Sequence, residues 1–352
     1  MTLIYFLLIL SVIVIIHEGG HLLAAKMFGV YCYEFSIGMG PVIWKKKTKE
    51  TQYSLRAFPI GGFVAMAGSN EDDEAHPDQQ VPEGRSLNDK PLWQKLIIYV
   101  AGVFMNIVLA WVVFSMIMLA NGAIAQSPKP YINSVREGYP AEAAGMKAGD
   151  LITKITKADG TSFEPKTFSD IQVFTAEETG EMTYTVLRGE EELTFTLTPQ
   201  FDEESQSYLI GITSMEGEIV QINLLNCWFY GFQEMGMILR LLFSALSAIF
   251  HGSGIRQFSG PVGIYKATET YSTMGFSAMM FLLGQLSLNV GIMNLLPLPV
   301  LDGGQIVISI GEKIAGRELN QKVKTGLFLA CWVLLLGFIV MVTWQDINRY
   351  FG

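Results

Sequence analysis

Histidine and cysteine are scarce in this chain, with four and three among 352 residues. Cys32, Cys227 and Cys331 lie far apart, are odd in number and form no CxxC pair. A disulfide framework and a thiolate zinc site are therefore excluded as readings. Charge is also sparse: Asp, Glu, Lys and Arg make up 16% of the residues. There is no basic excess, since the formal net charge is -9, which argues against nucleic acid as a partner. The amino-terminal apolar run lacks a basic leader, so Ala24-Ala25 reads poorly as a cleavage site. The first helix is expected to be retained.

Apolar residues are abundant instead. They make up 50% of the chain, and the mean hydropathy is +0.34. The charges cluster between long uncharged stretches, as expected of a polytopic membrane protein with one soluble insert. The length allows two or three folded units.

Four transmembrane helices are expected: residues 1–27, 91–121, 273–310 and 325–345. The third is interrupted by Pro297-Leu298-Pro299 and Asp302-Gly303-Gly304. Residues 28–90 form a polar loop. Its first part, Tyr31 to Phe63, reads as one or two β-hairpins, and Ser69 to Gly84 reads as disordered. Residues 126–218 have β and turn character, with strict alternation over Leu193 to Thr198. Residues 224–262 read as an interfacial amphipathic helix and linker, because Gln233, Glu234 and Arg240 break the apolar pattern.

Lys and Arg set the orientation. Lys26, Lys45, Lys46, Lys47, Lys49, Arg56, Arg85, Lys90 and Lys95 fall in or beside the first loop; Lys313, Arg317, Lys322 and Lys324 fall in the last. The positive-inside rule places both loops in the cytoplasm, and the insert and both termini outside.

His17-Glu18-Gly19-Gly20-His21 ends an apolar run that reaches back to Thr2. In HExxH two His share a helix face, and the adjoining Glu can act as a base. Here the motif lies in a helix of membrane length, which points to peptide-bond cleavage within the bilayer. A catalytic zinc takes three protein ligands and leaves one position for water. Asp302 is the candidate third ligand: it is ionisable at membrane depth, beside irregular backbone that only protein or a wet cavity can accommodate. Positive-inside topology puts it at the same cytoplasmic end as His17 and His21. The donor types favour Zn2+ over other divalent ions.

Asn289 and Asn294 precede the break. They can hold a substrate backbone or an oxyanion, or simply bond helix to helix. Gly102 and Asn106 read as a packing pair between spans. His76 reads as a solvated loop residue and His251 as interfacial.

These elements, with Ser259-Gly260-Pro261 and the run Asn294-Leu295-Leu296-Pro297-Leu298-Pro299-Val300-Leu301-Asp302-Gly303-Gly304, resemble the signatures of RseP-type site-2 proteases. Pro140 to Asp150 resembles the turn region of a PDZ domain. The resemblance implies a four-helix membrane protein with a membrane-associated β-hairpin region and one PDZ-like α+β domain. It implies zinc held by His17, His21 and Asp302, with Glu18 catalytic and Asn289, Asn294 and Pro297 holding substrate. Gly61-Gly62 belong to the hairpin edge, where an unwound substrate strand would pair. The implied substrates are single-span membrane proteins, such as anti-sigma factors pre-trimmed by another protease, or signal-peptide remnants. The PDZ-like insert would gate access or bind a new carboxyl terminus.

Two other readings compete. A zinc transporter would also place His and Asp in spans, but has no need of Glu18. A catalytically silent PDZ adaptor has no need of a complete HExxH with Asp302.

Overall fold

The computed structural model describes residues 1–68, 73, 75–76, 79–176, 178–202, 207–250 and 259–351. His251, and the loop residues 69–72, 74 and 77–78, lie outside the described residues. Two units are present: one of residues 1–120 and 223–352, the other of residues 121–222.

The first unit is mainly helical. Helix α1 (Thr2–Met27) leads into strands β1 (Cys32–Lys47) and β2 (Gln52–Met66), followed by α2 (Leu92–Asn121). After the insert come α5 (Cys227–Phe250), α6 (Pro261–Met274), α7 (Phe276–Asn294), α8 (Asp302–Ala315) and α9 (Gln321–Phe351). Among the described residues four helices, α1, α2, α7 and α9, are long and apolar enough to cross a membrane. Their surfaces carry many exposed large apolar side chains, such as Leu8, Phe104, Leu334 and Val340. Lipid solvates such a surface as well as a protein core would.

The third span is broken at the prolines that interrupt it in the sequence: α7 ends at Asn294, and α8 begins afresh at Asp302. Pro297 and Pro299 supply no N–H to a helix ladder, so the chain stays out of helix between Asn294 and Asp302. Ahead of α7 lies α6, which the sequence reading did not assign. Gly275, at φ 103°, separates the two helices. Helix α6 joins the core through Ala267 and Tyr271, which pack with Ile9, Ile13, Leu282 and Leu283.

Asp346 explains the Ser259-Gly260-Pro261 element. This buried carboxylate on α9 accepts from the backbone N–H of Gly260 (2.8 Å) and of Gly263 (2.7 Å). These are orphan donors at the start of α6, and a carboxylate there also matches the helix dipole. Pro261 fits the first turn because its missing N–H would have no partner anyway.

Helix α5 packs one face on α2 and α7: Met235 and Ile238 join Ala110, Phe114 and Leu288. Trp111 Nε1 donates to the Trp228 carbonyl at 2.9 Å.

Strands β1 and β2 are strongly bent. The first half of β1 pairs on both sides, so Phe35 faces Tyr53 in one direction and Val64 in the other. Residues 62–66 thereby become an outer strand of the sheet. His76 is not a solvated loop residue: its ring stacks on Tyr33 at 4.8 Å and 6°. Its Nε2 lies 3.9 Å from the buried Glu34 carboxylate, which Arg56 also engages at 2.8 Å.

The second unit holds β3 (Ala123–Ala125), β4 (Ser134–Val135), α3 (Pro140–Ala143), β5 (Leu151–Lys157), β6 (Ser162–Phe163), α4 (Phe168–Thr175), β7 (Met182–Arg188), β8 (Glu191–Leu197), β9 (Gln200–Asp202), β10 (Ser207–Leu209), β11 (Ile212–Thr213) and β12 (Ile219–Gln221). Strands β6-β5-β7-β8 form an antiparallel sheet. Its inner face, with Ile152, Ile155, Tyr184 and Val186, packs on Phe168 and Ile171 of α4. Pairing of β3 with β12 closes the unit, which extends a few residues beyond the expected 126–218 at each end. Asp150 is fully buried and takes two hydrogen bonds of 2.7 Å from Arg188. Burial alone would raise its carboxyl pKa, but the guanidinium holds it below the usual aspartate range.

Candidate metal centre

His17 and His21 stand one turn apart on α1, both buried. Their Nε2 atoms are 3.3 Å apart. Asp302, the first residue of α8, brings Oδ2 to 3.2 Å from His17 Nε2 and 3.5 Å from His21 Nε2. A zinc ion bound tetrahedrally at about 2.0–2.1 Å requires donors about 3.3–3.4 Å apart. The three separations fit that figure.

Hydrogen bonding leaves one acceptor of the cluster unmet. Asp302 Oδ2 is buried and finds no aligned donor, although both imidazoles are within reach. His21 Nδ1 lies 2.8 Å from the Ile98 carbonyl, which can only accept, so Nδ1 carries the proton. In the neutral ring His21 Nε2 is then a lone pair, facing a carboxylate oxygen and a ring nitrogen of His17. Acceptors gathered in a buried site repel one another unless a cation holds them. The residues therefore fit a divalent metal. No other group of three such side chains converges among the described residues.

Glycines make room for the donors. A Cβ at Gly102 would lie 2.3 Å from His21 Nε2 and 2.9 Å from His17 Cε1, so only glycine lets α2 pass beneath both rings. Cβ atoms at Gly303 and Gly304 would lie 2.1 Å from the Leu295 carbonyl oxygen and 2.0 Å from that of Leu298. The glycine pair lets the break fold back onto the start of α8. Gln305 secures that fold, donating from Nε2 to the Pro299 carbonyl at 2.8 Å.

A cavity of about 370 Å3 opens over the cluster, lined by His17, Glu18, His21, Gly61, Gly62, Asn294 and Asp302 among others. Glu18 is held from the hairpin side, where the Val64 amide donates to its carboxylate. Asn294 Nδ2 lies 3.3 Å from His17 Nε2. Asn289 and Pro297 are not among the lining residues, and Pro297 is exposed. The last turn of α7 turns Asn294, not Asn289, toward His17.

Sequence reasoning treated Gly102 and Asn106 as packing residues. The structure puts both against the imidazoles: Asn106 Nδ2 is 3.3 Å from His17 Nδ1. Their four-residue spacing, equal to that of His17 and His21, was the available signal. The Ile98 carbonyl and Gln305 carried none.

Comparison with known proteins agrees with this chemistry. A Clostridium perfringens protein, provisionally named a zinc metalloprotease, is 34% identical over 99% of this chain and 98% of its own length. The regulator of sigma-W protease RasP of Bacillus subtilis is 28% identical over 99% of both chains. The zinc metalloprotease RasP of Shouchella clausii is 28% identical over the whole of both. Among solved structures, the PDZ domain of an SdrC-like protein from Listeria monocytogenes is 25% identical, covering 26% of this chain and 90% of that one with a TM-score of 0.20. The model of peptidase family M50 matches residues 5–338, and the chain belongs to that family of zinc metalloproteases.

Proposed function

We propose that this protease hydrolyses peptide bonds of single-span membrane proteins inside the bilayer, with His17, His21 and Asp302 as metal ligands and Glu18 as general base. The observation that carries this reading is the convergence of three donors from α1 and α8 beside the Glu18 carboxylate. Zinc bound there supplies a Lewis acid and a water whose pKa falls to about 7. Glu18 takes a proton from the attacking water and delivers it to the leaving amine, so water adds across the C–N bond. Asn294 directs its amide N–H toward the reacting oxygen.

Residues 62–66 offer an outer strand edge beside the Glu18 carboxylate. A substrate helix must unwind to expose its amide, and pairing along this edge satisfies the freed backbone groups. Gly61 and Gly62 line the cavity beside that edge. Insert and termini face outward on the charge rule, and the insert acts as a PDZ-like filter for substrates already trimmed by another protease. The likeness to a protein named for sigma-W regulation makes anti-sigma factors the first substrates to try.

Proteoliposomes carrying the protein and a single-span substrate test the reading. Expected is cleavage within the span, abolished by a zinc chelator and restored by zinc. Zinc flux without cleavage would favour the transporter. Unchanged substrate without flux would favour the silent adaptor.

A further inference from the structure

Asn106 is fully buried on α2, yet its side-chain oxygen Oδ1 finds no hydrogen-bond partner. Its Nδ2 instead faces His17 Nδ1 at 3.3 Å. That polarity conflicts with a metal at the site. If Nδ2 donates to Nδ1, the ring proton of neutral His17 sits on Nε2. Yet Nε2 is the atom aimed at Asp302 and His21. A half-turn of the amide about χ2 exchanges two groups of nearly the same shape and turns the oxygen to His17 Nδ1. Oδ1 gains a donor, and Nε2 becomes a free lone pair.

The surroundings leave the amide little other freedom. The Asn106 carbonyl accepts from Ser287 Oγ at 2.9 Å, which ties this turn of α2 to α7. On the same side, a Cβ at Gly291 would already lie 3.3 Å from Asn106 Cβ. The arrangement then parallels that of His21, whose Nδ1–H donates to the Ile98 carbonyl.

We infer that Asn106 is a positioning residue of the metal centre, its amide oxygen accepting from His17 Nδ1–H and so holding His17 Nε2 in the ligating tautomer. This inference rests on the metal-centre reading above. Outer partners of this kind change metal affinity by about 10–100-fold when removed.

The test uses the full chain in detergent, with zinc affinity measured by chelator competition and metal-free thermal unfolding measured in parallel. Asn106→Leu keeps the bulk and removes the acceptor; Asn106→Asp keeps an acceptor. Expected is a roughly 10–100-fold loss of zinc affinity in Asn106→Leu, with Asn106→Asp at or above wild type and metal-free unfolding near wild type in both. Wild-type affinity in Asn106→Leu would overturn the inference, as would equal losses in both variants. So would a loss matched by lower metal-free stability, which would mark a packing role. A wild-type protein that binds no zinc would overturn the metal-centre reading itself.

Discussion

His17 Nε2 stands 3.2 Å from Asp302 Oδ2, joining a side chain of the first helix to the first residue of α8. Neither helix alone can bind a metal. The cluster forms only where α1, α2 and the break after α7 pack together, so metal content is expected to report on tertiary structure as well as on the donor side chains.

Glu18→Gln separates chemistry from binding. The amide is close in size to the carboxylate but takes no proton. Bound zinc should stay at wild-type level, while cleavage falls by about 10^2–10^4-fold, the usual contribution of a general base. Metal analysis beside a cleavage assay checks this; wild-type turnover would remove Glu18 as base.

Asp302→Ala should empty the centre. Two imidazoles remain, and zinc is released to a mild chelator that leaves wild type loaded. Thermal stability of the metal-free protein should change little, because Oδ2 has no aligned hydrogen bond to lose. Full zinc occupancy would mean that another residue is the third ligand.

Gly102→Ala should fail by crowding. The added methyl would lie 2.3 Å from His21 Nε2, so a ring or a helix must move. Overpacking of this kind costs about 1–3 kcal/mol. Zinc content should fall with stability, and unfolding in detergent with metal analysis reads both.

Asp346→Ala should loosen α6. It leaves the N–H groups of Gly260 and Gly263 without their acceptor in a buried site. Loss of a helix cap costs about 0.5–2 kcal/mol. Hydrogen exchange should show faster opening of residues 259–265, and Asp346→Asn, which keeps one acceptor oxygen, should lie between.

The insert should weaken in acid through Asp150. Its folded pKa lies below the usual value because of Arg188, so its contribution is present above the unfolded pKa and fades as pH falls through the folded one. Arg188→Ala should destabilise the insert at neutral pH, because it leaves the buried Asp150 carboxylate without its guanidinium partner. Hydrogen exchange of residues 121–222 across pH 7 to 3 checks both statements; a pH profile unchanged by Arg188→Ala would remove the pair as its cause.

Local chemistry was legible in the residues themselves. HExxH at the end of a long apolar run specifies a helix and the face that its two histidines share, because a period of 3.6 residues acts within one turn. The two prolines and two glycines around Asp302 announce a break for equally local reasons. What the amino acids could not disclose was which surfaces meet. Asn294 rather than Asn289 reaches His17, β2 folds back to place Val64 on Glu18, and α6 is held by a carboxylate from the far end of the chain. Those relations depend on packing between segments distant in sequence, and side chains on a lipid-facing and a ligand-facing helix surface are chemically alike until the neighbouring helix is in place.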